Sequence, residues 1–236
     1  METLRELMPY DDVRGNSIDY DGDLPETAKV TIKLRGSGNR LVVARDAKIV
    51  DLMVDFSGDD AVVVIEGTTE SRTGLRFSMR LGHECTVRIG ENVGTETKSF
   101  IRVSEGQSVT IGEDCMIASG VAFRADDSHA IYDVRTGKRS NPAGCIDVGE
   151  HVWLGKDVVV MGGVTIGQGS VVGLRGIVTK DLPNNCVAAG APARVVKRDV
   201  AWERPILSFR EPGIPGLPRG HKKSTKYWNV TRADGD

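Results

Sequence analysis

No apolar run in the 236 residues approaches the roughly 18 that a membrane-spanning helix needs, so none is expected. The N-terminus, METLRELMPYDDVRGNSIDYDGD, is acidic and lacks both a basic start and an apolar core, so it does not read as a signal peptide. Paired cysteine spacing is missing too. Cys85, Cys115, Cys145 and Cys186 lie far apart with no C-x-x-C, which fits reduced thiols better than a disulfide frame or a zinc site. Nor is there an excess of charge: 31 lysines and arginines face 33 aspartates and glutamates, a net charge of −2. Such a balance gives no reason to expect a nucleic-acid binder, and electrostatic recognition has to be local. The expectation is a soluble, cytoplasmic protein with no transmembrane segment, for which peripheral association with a membrane-bound assembly stays open. The length suits one main domain with room for a tail.

What the sequence does contain is a repeat. From Val148 onward, Val148, Leu154, Val160, Ile166, Val172 and Val178 recur six residues apart, and a second column two residues earlier holds Ile146, Val152, Val158 and Val164 before shrinking to Ser170 and Gly176. An amphipathic helix needs a period near 3.6, and hairpin sheets need irregularly spaced turn signals. Period six therefore predicts short parallel strands stacked around a prism. The phase continues backward through Phe123, Ile117 and Ile111, and more faintly through Ile101, Thr95 and Ile89. A step of ten residues from Ile101 to Ile111 implies an insertion at one corner. The expected division is an N-terminal segment and cap over 1–40, a β-helix domain over 41–193 with a loop over 124–145, and a C-terminal short helix with a Pro-rich arm over 194–236.

The string VWLGKDVVVMGGVTIGQGSVVGLRGIVTKDLPNNCVAAGAPARVVKR resembles the hexapeptide-repeat acyltransferases, especially the maltose and galactoside O-acetyltransferase branch and its capsule or exopolysaccharide O-acetyltransferase relatives. The likeness runs from about Val87 to Trp202. It implies an all-β, left-handed parallel β-helix, a homotrimer, and acyl transfer from acetyl-CoA with no metal. Period six alone sets no handedness, and the usual crossover rule would favour a right-handed connection.

A prism of flat faces has no pocket of its own, so chemistry is expected in excursions and seams. The largest excursion, FRADDSHAIYDVRTGKRSNPAGC, carries His129 beside Asp126, Asp127 and Ser128. Histidine titrates near neutrality and suits a base that takes the acceptor's proton and returns it to the departing thiolate. Family members carry their catalytic histidine in a loop at this place, and His129 is the matching position. Asp126, Asp127 and Asp133 are each candidates to orient it, with capping or turn formation as the plain alternative. Tyr132, Arg135 and Asn141 are candidates for the acceptor, and Arg135, Lys138 and Arg139 would favour an anionic one; holding loop backbone is the alternative for Asn141. A nucleophilic Cys115 or Cys145 is the competing mechanism, weighed against cysteine as a small core residue.

For the cofactor, the resemblance points to Trp153 beside the pantetheine arm, a backbone N–H near Gly155 or Lys156, the latter preferred, as an oxyanion donor, and Thr179, Lys180, Arg194, Lys197 and Arg198 toward the phosphates. Packing explains Trp153 equally well. Arg175 sits where relatives carry small residues and is either a phosphate contact or an exposed corner. His151 is expected at an outward corner of a hexad, with a seam position as the alternative. After Trp202 the prolines exclude one long helix, and Arg219, His221, Lys222, Lys223 and Lys226 make the tail locally basic. Two rivals remain at this stage: a zinc enzyme resembling γ-class carbonic anhydrases, which needs three converging histidines, and a non-catalytic scaffold. Within the acyltransferase reading, an amino or nucleotide sugar accepting on nitrogen is the alternative acceptor.

Overall fold

The computed structural model describes residues 2–69, 74–204 and 224–232. Each hexad delivers one inward side chain to one face of a three-sided solenoid. Val148, Leu154 and Val160 lie on the successive strands Ile146–Val148, Trp153–Leu154 and Val159–Met161, and all three are buried. One coil later Ile166, Val172 and Val178 occupy the same faces, paired in parallel register with the first three. The columns continue below, where Ile111, Ile117 and Phe123 pair with Val148, Leu154 and Val160. Burying each such aliphatic side chain contributes about 1.5–3 kcal/mol, so the regular ladder is also the core.

Among the described residues the strands form three sheets of eight, six and eight strands. We call the sheet holding Ala122–Arg124 the first face, that holding Ile146–Val148 the second, and the six-stranded sheet holding Trp153–Leu154 the third. The chain visits them in that order. Corners are tight: at Gly112 and Gly149 an added Cβ would come within 2.7 Å of backbone in the next coil, which only glycine avoids. The ten-residue step after Ile101 is explained by the strand Ser99–Val103, which buries Val103 as well, followed by a turn at the corner between the first and second faces.

The solenoid begins before the expected Leu41. Strands Ser17–Asp19 and Lys29–Leu34 already stack in parallel on Arg40–Val43 and Ile49–Phe56. Capping is confined to Glu2–Leu4 and Tyr10–Asp11, which pair antiparallel and so close the open edges. At the other end, Ala193–Lys197 is a strand folded back antiparallel on Val187–Gly190, where a short helix was expected. The residues described after it, 198–204 and 224–232, are also non-helical, while the Pro-rich stretch 205–223 lies outside the described residues. Among the described residues no helix is long and apolar enough to cross a membrane.

Candidate active site

The excursion leaves the first face after Arg124 and rejoins the second at Ile146, so it projects from the corner between them. Its root is anchored by Asp126, a buried residue whose Oδ1 accepts from Arg102 Nε at 2.9 Å and from the Ser128 N–H at 2.8 Å. Ser128 sits at φ +69°, a left-handed conformation that a serine adopts only when held there. Asp126 Oδ2 is buried with no hydrogen-bond partner. On the far side, Asn141 Nδ2 donates to His129 O and to Asp127 Oδ2, both at 2.9 Å, while its Oδ1 accepts from the Ile131 N–H at 2.7 Å.

The backbone at His129 is thus pinned from before and after, and its side chain stands exposed with no hydrogen bond to the ring among the described residues. Asp126 and Asp127 hold backbone and Asn141 rather than the imidazole. Asp133 caps its own turn: the backbone N–H and hydroxyl of Thr136 and the Arg135 N–H keep its carboxyl below the ordinary aspartate range. Asn141, a candidate for the acceptor, is a staple of the loop. Arg139 is committed to Glu105 at 2.6 Å, whereas Tyr132, Arg135 and Lys138 remain exposed.

The cofactor candidates divide. Trp153 lies on the outer side of the third face, 37% exposed. Lys156 and Arg175 follow at the corner between the third and first faces, with Arg175 at φ +57° and its Nε 3.6 Å from Asp157. Arg194 and Lys197 are exposed on the strand that closes the third sheet. Thr179 and Lys180 come directly after the first-face strand Ile177–Val178, so they share the loop's corner, two coils further on. One chain does not gather the whole set: His129, Thr179 and Lys180 occupy one edge of the prism, and Trp153, Lys156, Arg175, Arg194 and Lys197 belong to the opposite face and its next corner.

Cys115 is fully buried, its thiol pushed up to about 12 by loss of solvent, and it donates to Gly149 O at 3.1 Å. That describes an inert core residue rather than a nucleophile. Cys145 is part-buried at the loop's base, its thiol 3.1 Å from Gln107 Oε1.

Sequence reasoning missed His151. It was expected at an outward corner, yet it is buried, with its ring stacked between Trp202 at 4.0 Å and Tyr227 at 4.4 Å. Its Nδ1 lies 2.6 Å from Asp114 Oδ2 and its Nε2 3.1 Å from Trp202 O. Both aromatic partners come from the tail, beyond the reach of any hexad pattern. With His83 near Asp59 at one corner, His129 in the loop and His151 in this stack, the described residues contain no three-histidine metal cluster of the carbonic anhydrase kind.

A parallel three-sided solenoid interrupted by a polar excursion, here over 124–145, is the architecture of the hexapeptide-repeat class. A polysialic acid O-acetyltransferase of Neisseria meningitidis is 33% identical over 170 residues, 72% of this chain and 77% of that protein. A polysialic acid O-acetyltransferase of Escherichia coli O1:K1 / APEC is 43% identical over 105 residues, and the chain spans 34% of that relative's length. The crystal structure of the polySia specific acetyltransferase NeuO matches with a TM-score of 0.69 at 34% identity, over 80% of this chain and 89% of that one. No family model matches. The chain belongs to the hexapeptide-repeat acyltransferases and is an acetyltransferase.

Proposed function

We propose that this protein transfers acetyl from acetyl-CoA to a hydroxyl of a sugar or surface polysaccharide, directly and within a ternary complex. The observation that carries the reading is the fixed backbone and free imidazole of His129, close to the root of the excursion over 124–145. As the acceptor oxygen attacks the thioester carbonyl, a C–O bond forms and His129 takes the hydroxyl proton. When the C–S bond breaks, the proton passes from His129 to the departing thiolate, giving an acetate ester and free CoA. The Lys156 N–H would stabilise the oxyanion, and Trp153, Arg175, Thr179, Lys180, Arg194 and Lys197 would hold the cofactor. Exposed Tyr132, Arg135 and Lys138 are available to a sugar. The names of the relatives support a polysaccharide acceptor.

Division of these residues between two edges of the prism supports a homotrimer in which the third face of one copy meets the loop-bearing corner of the next. Outward apolar side chains support the same assembly. On the first face Phe100, Ala122, Val159 and Ile177 align in register, with Phe100 50% and Ile177 37% exposed. The site of action would be the cytoplasm, beside a polysaccharide-synthesising assembly.

The test offers acetyl-CoA with panels of neutral and acidic oligosaccharides and amino sugars, and locates the new acetyl group by NMR. Acetyl on oxygen of a sugar, lost by about 10²–10⁴-fold in kcat in a folded His129→Ala variant with CoA affinity retained, is the expected result. Acetyl found only on nitrogen, or normal turnover in that variant, contradicts it.

A further inference from the structure

Beside the excursion, the first face carries a column of cations that the proposed chemistry does not use. Parallel register stacks Arg80 on Arg102 and Arg102 on Arg124 in successive coils, with Lys33 and Asp55 continuing the column below. Coil-to-coil spacing is about 4.8 Å, so the arginines form a ladder on one line. All three point outward, because the residues between them and the apolar column, Met79, Ile101 and Phe123, are buried.

The charge on this line is only partly neutralised. Asp55 is shared, 2.8 Å from Arg35 and 3.9 Å from Arg80. Arg102 spends its Nε on Asp126, which ties the ladder to the root of the His129 loop. Among the described residues Arg124 has no carboxylate partner and is only half-buried, at the last position before the chain departs into the loop. Among the described residues the column itself thus carries Lys33, Arg80, Arg102 and Arg124 against Asp55, with Asp126 at the loop's root beside Arg102. This is local design in a protein whose net charge is −2. The corner between the second and third faces has the opposite character: its groove is lined by Asp46, Glu66, Glu91, Glu113 and Glu150.

We propose that the Arg80–Arg102–Arg124 ladder is a binding track for an anionic polymer, a glycan bearing a carboxylate or phosphate on each repeat, which it holds next to the His129 loop. This rests on the acetyltransferase reading and adds to it the class of acceptor and a site outside the reacting centre. Guanidinium groups recognise carboxylates and phosphates through paired N–H donors, and a row of them at fixed spacing rewards several charges on one chain more than a single charge.

The experiment measures acetylation of polysialic acid fragments, short and long, and of a neutral maltooligosaccharide, at low and high salt. Expected for the wild type is a KM that falls with fragment length only for the acidic series and rises with salt. Arg80→Ala and Arg124→Ala should each raise KM for long fragments about tenfold with kcat retained, flatten the salt dependence, and leave the shortest fragment unchanged. Arg88→Ala, an exposed cation on the second face and away from the ladder, serves as the control and should do none of this. If the wild type acetylates acidic fragments but both ladder variants keep its length and salt dependence, the track is wrong and the acetyltransferase reading stands. Equal use of the neutral series also overturns the track. Acetylation of no glycan at all would instead remove the reading beneath it.

Discussion

His151 Nδ1 lies 2.6 Å from Asp114 Oδ2 while the imidazole is sandwiched between Trp202 and Tyr227. This stack and the groups around it are one of the tail's anchors on the solenoid, beside the bonds that Asn184 and Asn185 make to Tyr227, Val230, Thr231 and Arg232. Trp202 Nε1 donates to His151 O at 2.8 Å, Arg204 Nε donates to Asp114 Oδ1 at 2.8 Å, and Tyr227 OH and Lys226 both reach Glu113. Replacing His151 by alanine removes the filling of the stack and one partner of a buried pair, a cost of about 3 kcal/mol. His151→Phe keeps the stacking and loses the hydrogen bonds, so it should fall between the two. Urea denaturation followed by tryptophan emission measures this; an alanine variant with the wild-type midpoint would mean that the stack contributes nothing.

The same pair sets an acid limb. Burial alone would raise the Asp114 carboxyl, but hydrogen bonding from His151 and the charge of Arg204 outweigh it and hold the group below the ordinary aspartate value. A carboxyl depressed in the folded state binds fewer protons there than in the unfolded chain, so stability rises with pH through that interval. Its contribution is fully present above the unfolded value of about 3.9 and is lost as pH falls through the lower folded value. The stability gap between wild type and Asp114→Asn should accordingly shrink as the pH falls below about 4. A gap that stays constant to the acid end would show that Asp114 is not the group responsible.

Much of this architecture is legible in the sequence because the solenoid imposes one inward position per face, and six residues carry the chain from one face to the next. Val148 to Val178 obey that rule without exception. The first coils were read too short for a physical reason: Ile49–Phe56 and Leu75–Leu81 are long strands with three or more inward residues each, so no single phase survives there. His129 was legible as an interruption of the repeat. The His151 stack was not, since its aromatic partners Trp202 and Tyr227 lie on a segment with no period, and only folding brings them over the second-to-third corner. Likewise the arginine ladder is invisible to a six-residue reading. Arg80, Arg102 and Arg124 are 22 residues apart, and that spacing becomes a column only once the register is known.

Lys180 and Arg194 are expected to meet the phosphates of CoA, although they stand at different edges of one chain. Charge-assisted contacts of this kind contribute roughly 1.5–3 kcal/mol, so each alanine substitution should weaken CoA binding by about tenfold or more. The salt dependence of binding should decrease in both variants. Calorimetric titration decides it, and unaltered affinity in the pair would put the cofactor groove elsewhere.

If both edges belong to one site, that site is completed between copies, and mixed assemblies test the geometry directly. His129→Ala chains retain an intact third face, and a Trp153→Ala/Arg194→Ala chain retains an intact loop; each assembly alone should be nearly inactive. In a trimer that contains both kinds, a seam where the loop of the second chain meets the third face of the first has every group in place. Unfolding the two variants together and refolding them as a mixture should therefore restore a sizeable fraction of wild-type activity, while mixing without unfolding should restore none. A site built within one chain predicts the opposite, because every chain would then carry a defect whatever its neighbours are. Light scattering on the same samples should report a particle near three times 25.5 kDa. Absence of recovery in a refolded mixture that has that mass would confine the active site to a single chain.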